Sequence, residues 1–462
     1  MPKHTSRREF LRVAAASSVV TGVAPGILTS KSHELARKAS GKKYGANDKI
    51  RIATIGFGGM GHGDTRTALQ VDGVEFVAAA DCYKGRLVHA KEVYGKDLFT
   101  TQDYREIIDR SDIDAVIIAT PDHWHAKITI AALNAGKAVY CEKPMVQKIE
   151  EGAGVLQAEK DSGNLLIVGS QRVSSLLYEK ARELYQSGAI GELNMVEAVL
   201  NRNSATGAWQ YTIPPDASPE TCDWETFVGH APSRAFDAKR FFRWRNYQDY
   251  GTGIPGDLFV HLFSGIHLVL DSNGPERVMS TGGLRYWDDG RDVPDIMLGM
   301  YDYPKTESHP AFNMSLKVNF ADGAGGGTQF RFIGSEGVIT INSNNTTLTR
   351  LAPRTEPGYT IGTFPEAIQK QALADYRKQY PKTDRPSLRG YTEEVFTAPG
   401  GYNDRFDHFT NFFTAMREKS GVVEDGTYGL RAAAPALLTN MSYESKQIVE
   451  WDPNAMKLKT QI

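Results

Sequence analysis

The stretch IRIATIGFGGMGHGD, residues 50–64, decides the fold of the first part of this chain. An apolar run, IRIATI, leads directly into GFGGMG at residues 56–61, and a helical pattern follows as far as Gln70. A second apolar run, VEFVAAA, ends at Asp81, about 20 residues past the last glycine. A strand, a GxGxxG turn, a helix and a second strand that ends in an acid predict a dinucleotide-binding Rossmann fold.

The three glycines of the motif have separate predicted roles. Gly56 permits the tight turn, Gly58 lets the backbone approach a pyrophosphate, and Gly61 lets the helix pack closely on the strand. The helix N-terminus would offer free N–H groups and a partial positive charge to the phosphates. A plain strand–turn–helix corner is the alternative, and the complete pattern disfavours it.

The acid after the second strand bears on which dinucleotide is bound. The carboxylate of Asp81 can accept hydrogen bonds from both ribose hydroxyls and would repel a 2′-phosphate. The sequence therefore favours NAD over NADP. Lys84 and Arg86 follow closely and leave NADP open.

Two further motifs follow predicted strands of the same sheet. Residues 113–119 are apolar and precede TPDHWH, and residues 137–141 precede Glu142-Lys143-Pro144. Open parallel sheets bind their ligands at the carboxyl ends of the strands. Beside a dinucleotide, Lys143 could hold a substrate oxygen and stabilise the alkoxide that forms as hydride leaves. A solvated lysine at a strand exit is the alternative.

Beyond residue 170 the pattern changes to runs that alternate with a period of two. Such runs predict a large, mostly antiparallel sheet, and they cover residues 193–200, 276–284, 296–303, 313–320, 328–333 and 337–341. The glycine cluster at residues 323–327 lies between two of these runs and predicts a hairpin turn. Helical patterns cover residues 365–380, 403–416 and 428–448. The expected fold is α/β, a doubly wound parallel Rossmann sheet followed by an α+β domain with a large, mostly antiparallel sheet, which the family resemblance given below implies to be open-faced.

A helix with chemistry on one face is predicted within GTGIPGDLFVHLFSGIHLVLD, residues 251–271. Pro255 suits a first helical turn, and Asp257 and His261, four apart, would project from the same face. A base with an acid placed to orient it is what general base catalysis requires. The alternative for His261 is a core histidine bonded to a carbonyl, and His267 is better explained in that way.

The motif order makes the chain similar to a known family. GxGxxG, Asp81, Ala-Thr-Pro-x-x-x-His, Ala-Gly-Lys and Glu-Lys-Pro occur in the order of the glucose–fructose oxidoreductase / inositol dehydrogenase / MocA (Gfo/Idh/MocA) family. The resemblance spans residues 49–200 and continues more loosely to the C-terminus. It implies that Lys143 contacts both the nicotinamide ribose and the substrate, and that Lys143, Asp257 and His261 form the catalytic set. The usual continuation His-x-x-Asp reads His261-Leu-Phe-Ser264 here, which is a departure.

With this resemblance, three domains or segments and two sets of binding residues are predicted. Residues 1–46 would be a signal and flexible arm, residues 47–170 the NAD-binding Rossmann domain, and residues 171–462 the substrate-binding and oligomerisation domain. The predicted cofactor contacts are Gly56, Gly58, Gly59, Met60, Gly61, Asp81, Thr120, Pro121, His125, Glu142 and Lys143. The predicted sugar contacts are Arg172, Arg243, Trp244 and Tyr250, although core packing explains the aromatic residues equally well.

Composition and the N-terminus limit where and with what the protein acts. A formal net charge of −2 argues against nucleic acid as the main partner, and three cysteines are too few for a disulfide framework. No Cys/His group has zinc-site spacing, so no metal is predicted. Ser6-Arg-Arg-Glu-Phe-Leu11 followed by a weakly apolar run indicates a twin-arginine export signal, with a basic tail as the alternative. No membrane anchor is predicted.

An exported protein with a dinucleotide site needs a cofactor that stays bound, because NAD is not freely available outside the cytoplasm. We therefore expect a periplasmic or otherwise exported oxidoreductase. It would transfer a hydride to or from a secondary hydroxyl of a sugar, glycoside or cyclitol and recycle its cofactor internally. A redox-neutral glycosidase that passes through a keto-sugar is one alternative, and a non-catalytic carbohydrate-binding protein is another. A homo-oligomer is expected from the resemblance.

Overall fold

The computed structural model describes residues 49–351, 358–381 and 391–459. The predicted signal and arm, residues 1–46, lie outside the described residues. No helix in the described ranges is both long and apolar enough to cross a membrane.

The first domain is built on a parallel sheet of six strands in the order β3-β2-β1-β4-β5-β6. The strands are β1 Ile50–Ile55, β2 Val74–Ala80, β3 Phe99–Thr101, β4 Ala115–Ile118, β5 Ala138–Cys141 and β6 Leu166–Val168. The connecting helices are α1 Gly59–Ala68, α2 Lys84–Tyr94, α3 Tyr104–Ile108, α4 His125–Asn134 and α5 Glu151–Ser162. Because helices cover both faces, the central strands are apolar throughout, and the predicted Rossmann sheet is confirmed. The strand order reverses between β1 and β4, where such sheets bind nucleotides.

The second domain carries a sheet of ten strands, and its mostly antiparallel character is also confirmed. Its order is β14-β13-β12-β11-β7-β10-β9-β8-β15-β16, with only β7 and β10 parallel within these described strands. The strands are β7 Leu193–Asn201, β8 Arg277–Gly283, β9 Ile296–Tyr303, β10 Phe312–Asn319, β11 Gly327–Gly334, β12 Gly337–Ile341, β13 Asn345–Leu351, β14 Tyr391–Thr397, β15 Val449–Asp452 and β16 Lys457–Leu458. One face packs on helices, while Met279, Leu298 and Met300 are exposed on the other.

The predicted hairpin at residues 323–327 is wrong. Strand β7 lies between β10 and β11, pairing in parallel with the first and antiparallel with the second. The glycine-rich loop therefore crosses the end of β7, where Asp322 N donates to Arg202 O at 3.1 Å and Asn201 Nδ2 donates to Asp322 Oδ2 at 2.8 Å. Gly325, Gly326 and the first residue of β11 all have positive φ, which suits a sharp crossing.

Between β7 and β8 the chain forms helices that reach towards the Rossmann domain. They are α7 Trp224–Val228, α8 Ala238–Phe242 and α9 Val260–Leu270; an earlier helix, α6 Leu176–Gln186, precedes β7. A single π-helical turn, Pro255–Phe259, leads into α9. The C-terminal helices are α10 Glu366–Gln379, which has no buried residue, α11 Asp404–Glu418 and α12 Gly426–Ser445. Phe409, Phe412 and Phe413 of α11 share one core cluster with β1, β4 and β5, so the C-terminal segment completes the first domain.

Candidate active site

The glycine-rich turn after β1 leaves room for a ligand on one side only. Gly56 has φ +88°, and a Cβ there would lie 2.6 Å from the carbonyl carbon of Ala119. A Cβ at Gly61 would lie 2.0 Å from Gly56 O, whereas one at Gly59 would meet nothing within 4 Å. The turn is closed towards the protein and open outwards, with the N-terminus of α1 beside it. This cradle fits a dinucleotide pyrophosphate.

A cavity of about 600 Å³ extends from this turn across the carboxyl ends of β1 and β4. Its walls include Gly56, Gly58, Gly59, Met60, Asp81, Thr120 and Pro121 from the predicted cofactor set. The second domain closes it with Tyr211, Phe241, Phe242 and Trp244. A mostly apolar cavity with a few polar groups at a strand-order reversal is the usual form of a dinucleotide site.

Asp81 lies in the wall of this cavity, next to a cation. Its Oδ1 accepts a hydrogen bond from Tyr83 N at 2.9 Å, and Arg86 Nη1 lies 3.3 Å from each carboxylate oxygen. The Arg86 guanidinium is 5.5 Å above the ring of Phe242. A ribose would meet the carboxylate here, and a 2′-phosphate would meet the carboxylate and the guanidinium together.

His125 holds two backbone segments together and does not line the cavity. Its Nδ1 is 2.7 Å from Pro144 O and its Nε2 is 2.9 Å from Thr120 O. The side chain is buried. The imidazole thus links the turn after β4 to the turn that carries Lys143, which positions both motifs without touching the cavity.

A buried acid pair and one arginine lie beneath the glycine turn. Burial and the neighbouring charge of Glu142 raise the pKa of Asp64 well above its ordinary value, and burial raises the pKa of Glu142 despite Lys143. Arg405 Nε lies 3.6 Å from Asp64 Oδ1, and Arg405 also lines the cofactor cavity. No local pattern indicated this arginine, because it comes from α11 at the far end of the chain.

Lys143 and Asp257 form a buried ion pair at the junction of the two domains. Lys143 Nζ donates to Asp257 Oδ1 at 2.8 Å and to Asp257 O at 3.0 Å. Arg245 Nε donates to the same Oδ1 at 3.1 Å. Burial opposes ionisation of Asp257, but the charges of Lys143 and Arg245 outweigh it and hold its pKa well below the ordinary value. Lys143 keeps one N–H for a further acceptor.

The imidazole of His261 is oriented by a backbone carbonyl and not by Asp257 as the sequence predicted. His261 Nδ1 lies 3.0 Å from Ser170 O. The π turn at Pro255–Phe259 pairs residues five apart, so Asp257 turns towards Lys143 instead of stacking one turn before His261. A carbonyl only accepts, which places the proton on Nδ1 and leaves Nε2 as an acceptor. Burial, followed by the charges of Lys143 and Arg172, holds the pKa of His261 well below 6.5.

These three residues share a second cavity, of about 430 Å³. Its other walls include Arg172, Leu200, Asn201, Arg202, Trp209, Gly327 and Thr328. Met60, Tyr211 and Arg245 line both cavities, so the two are adjacent. The arrangement places a neutral imidazole and an ammonium in a cleft next to the dinucleotide site, which suits proton removal from an alcohol coupled to hydride transfer.

The predicted sugar contacts separate into different environments. Arg172 lines the second cavity and donates to Asp404 Oδ2 at 2.9 Å. Arg243 donates to Tyr211 O at 2.7 Å, and Trp244 lines the cofactor cavity. Tyr250 is fully buried in an aromatic cluster, where packing alone accounts for it.

Several wall residues had not been assigned from the sequence. Arg202 and Arg245 line the substrate cavity, and Ser170 O supplies the histidine's partner. Arg245 lies in an aromatic and arginine-rich run that the sequence did mark. His267 contacts Tyr303 Oη at 3.1 Å inside the core, and no group of metal-binding side chains occurs among the described residues.

Fold and site together define a two-domain protein with a dinucleotide cradle and a Lys/His cleft between the domains. Residues 50–170 match the Gfo/Idh/MocA model, an oxidoreductase family with an NAD-binding Rossmann fold. This part of the chain is therefore similar to the NAD-binding Rossmann domain of that family.

Individual relatives match over part of their length. Inositol 2-dehydrogenase of Salmonella paratyphi B is 33% identical over 183 residues, which cover 39% of this chain and 53% of the relative. A glycosyl hydrolase family 109 protein of Solibacter usitatus is 30% identical over 157 residues, 32% of this chain and 34% of the relative. The chain thus spans about half, or less, of the length of these curated relatives.

A solved structure matches over nearly all of its length. Levoglucosan dehydrogenase in complex with NADH and levoglucosan has a TM-score of 0.61, with 87% of this chain and 99% of that chain covered at 19% identity. At this identity the likeness shows the fold, and it includes the second domain.

Proposed function

We propose that this protein is an NAD-dependent oxidoreductase that transfers a hydride to or from a secondary hydroxyl of a sugar, glycoside or cyclitol. The observation that carries the proposal is the pairing of a neutral His261 with the Lys143 ammonium in a cleft that adjoins the cofactor cavity. When bound, NAD supplies the hydride acceptor. The cradle of residues 56–61 and the Asp81 carboxylate would hold it.

The protein's own groups would manage the proton and the charge on oxygen. Nε2 of His261 accepts the hydroxyl proton, since its Nδ1–H is committed to Ser170 O. The remaining N–H of Lys143 donates to the same substrate oxygen and stabilises its developing negative charge. Asp257 fixes the lysine through two contacts, so its role is to position Lys143.

Relatives support this substrate class. Inositol is a cyclitol and levoglucosan is an anhydrosugar, and the matching proteins are named as dehydrogenases of these polyols. Both present secondary hydroxyls on a six-membered ring, which suits a cleft of this size.

We also propose that the cofactor remains bound between turnovers and that the protein is exported by the twin-arginine route. The Ser6-Arg-Arg-Glu-Phe-Leu11 motif supports export, and contacts beside the Asp81 end of the cavity support a retained cofactor. Tyr83 Oη donates to Asp216 Oδ1 at 2.6 Å, and Lys84 N donates to Thr221 O at 2.9 Å, which fastens the second domain across the Rossmann domain. Phe242 completes that wall.

Substitution of the two cleft residues tests the mechanism. His261→Ala and Lys143→Ala should purify folded and loaded with NAD, as native mass spectrometry would show. Their turnover of a sugar panel should fall by about 10²–10⁴-fold, the usual cost of losing a general base. The exposed His89→Ala and Lys148→Ala serve as matched controls and should keep full activity. Full turnover in either cleft variant would remove that residue from the mechanism.

The low pKa of His261 gives a second test. A base that is neutral well below pH 6.5 should keep the enzyme active in mildly acidic solution, with the acidic limb of kcat below that value. An acidic limb that His261→Ala leaves unchanged would assign the titration to another group.

A redox-neutral glycosidase is the second candidate, favoured by the match to a glycosyl hydrolase family 109 protein. Aryl glycosides separate the two reactions. A glycosidase releases the aglycone without net reduction of bound NAD, whereas the oxidoreductase leaves a keto-sugar and NADH. A non-catalytic carbohydrate-binding protein would show neither, and purification without NAD would favour it.

We propose a homo-oligomer that pairs through the open face of the ten-stranded sheet. Met279 and Met300 lie opposite each other on β8 and β9, and with Leu298 they are 41%, 53% and 42% exposed. Met300→Lys should shift the protein to monomers in light-scattering chromatography, while Lys317→Gln on the same face should not. An unchanged mass in Met300→Lys would exclude this face.

A further inference from the structure

The substrate cavity carries more positive charge than its acids offset. Four cationic side chains line it, namely Lys143, Arg172, Arg202 and Arg245, and Asp257 is the acid in the same wall. His261 adds no charge, since burial and two neighbouring cations keep it neutral. A second acid, Asp404, lies behind Arg172.

The ion pairs account for only part of this charge. Asp257 contacts both Lys143 and Arg245, so one carboxylate serves two cations. Asp404 offsets Arg172. Among the described residues, this leaves two of the four cations in the cleft without an acid of their own. One is Arg202, and the other is either Lys143 or Arg245, since these two share Asp257.

Arg202 is the cation with the weakest internal partner. Its Nη1 donates to Gly207 O at 2.9 Å, and its guanidinium is 5.7 Å from the ring of Phe320. Among the described residues no carboxylate lies within ion-pair distance of it. Its charge nevertheless reaches the catalytic end of the cleft, because it contributes to the low pKa of Asp257. The remaining guanidinium N–H groups are available to a ligand.

A neutral sugar would leave this excess charge in place in a partly dry cleft, which is unfavourable. An anionic substituent would offset it. The planar fork of an arginine matches the two oxygens of a carboxylate better than it matches a single hydroxyl.

Resting on the proposed function, we propose that the substrate is a sugar acid whose carboxylate is bound by Arg202. The oxidised hydroxyl lies at the Lys143 and His261 end of the cleft, and the carboxylate lies at the Arg202 end. The same protein discriminates against the uncharged sugar because the guanidinium is then left without a partner.

The test uses the NAD-loaded protein and three matched sets of probes. Each set contains a uronate, its methyl ester and its parent hexose, for glucuronate, galacturonate and mannuronate. Equilibrium binding is followed by the fluorescence of bound NADH, and turnover by absorbance. The expected result is that at least one uronate binds and reacts with kcat/KM about 10- to 100-fold above its ester and its parent hexose, since a charged hydrogen bond is lost in both.

The variant arm assigns the preference to one residue. Arg202→Gln should raise KM for the uronate by about 10- to 100-fold and leave kcat nearly unchanged. KM for the methyl ester should fall towards that of the uronate, because the variant no longer leaves a guanidinium without a partner beside an uncharged substrate. Arg277→Gln, a surface arginine with its side chain 53% exposed, is the matched control and should change neither constant.

The outcomes separate the two proposals. Hexoses or esters that react as well as the uronates, or an Arg202→Gln variant that keeps the acid preference, would overturn the sugar-acid assignment and leave the oxidoreductase intact. If no probe of either class binds or reacts, the sugar-acid assignment fails, and turnover of the wider panel of sugars, glycosides and cyclitols by the NAD-loaded protein then decides the oxidoreductase proposal.

Discussion

Glu424 offers the sharpest test of the electrostatics behind the cleft. It is fully buried between α11 and α12, where its Oε1 accepts from Ser170 Oγ. Ser170 is the residue whose carbonyl orients His261. Burial raises the pKa of Glu424 from 4.5 to about 8, so the folded protein holds this carboxyl protonated at neutral pH.

The sign and size of the effect follow from that pKa. Because the pKa of Glu424 is higher in the folded protein than in the unfolded chain, its contribution to the free energy of unfolding is fully present below pH 4.5. That contribution is lost as the pH rises towards 8, because the carboxyl ionises first in the unfolded chain. Between pH 5 and pH 8.5, at about 1.36 kcal/mol for each pKa unit, the loss is roughly 3–4 kcal/mol. Glu424→Gln keeps the shape and a polar group but cannot ionise.

The free energy of unfolding of both proteins is measured by urea titration at pH 5 and pH 8.5. Near pH 5 the two should be similar, and at pH 8.5 the glutamine variant should be the more stable by roughly 3–4 kcal/mol. Other titrating groups cancel in the comparison. Glu336→Gln makes the same substitution at an exposed position and separates burial from the change of residue. A difference that stays constant with pH would refute the protonated carboxyl.

Three further changes probe the cofactor site. Asp81→Ser should raise affinity for NADP relative to NAD by about 10- to 100-fold, measured by equilibrium titration, since the neighbouring guanidinium then meets the 2′-phosphate without a competing acid. Gly61→Ala places a Cβ 2.0 Å from Gly56 O and should yield protein without bound nucleotide, as its absorbance ratio would show; normal NAD content would contradict the closed turn. Arg405→Gln removes the cation beside Asp64 from the cavity wall and should speed NADH release about 10-fold in stopped-flow fluorescence, whereas an unchanged rate would place the guanidinium outside the binding contacts.

The Rossmann domain could be predicted from the sequence because its determinants are local. Apolar strands covered on both faces, a turn that only glycine can make, and an acid at the next strand end all lie within one short segment. The turn at residues 56–61 is specified by contacts to Ala119 and to itself. Element type in the second domain was equally accessible, because alternation with period two reports which face of a strand is buried.

Strand pairing was not accessible in the same way. Nothing in residues 313–333 indicates that β7, more than a hundred residues earlier, inserts between two runs that read as a hairpin. The same holds for α11, whose phenylalanines look like an ordinary amphipathic face and in fact complete the core of the first domain. The register of a strand and the strand it pairs with depend on the whole fold, so a short hydrophobic pattern does not predict them.

In the site, the sequence predicted which residues take part but not which partner each of them contacts. An acid and a histidine four apart predicted a single functional pair, and both residues do line one cleft. One π-helical turn, however, directs Asp257 to a lysine 114 residues away and gives His261 to the carbonyl of Ser170. The consequence is chemical: the carboxylate positions Lys143, and the histidine, which has no carboxylate partner and lies near two cations, stays neutral. A neutral imidazole and the lysine ammonium can then act on one substrate oxygen at the same pH. A histidine–aspartate pair in this cleft would instead have raised the pKa of the imidazole and favoured its charged form.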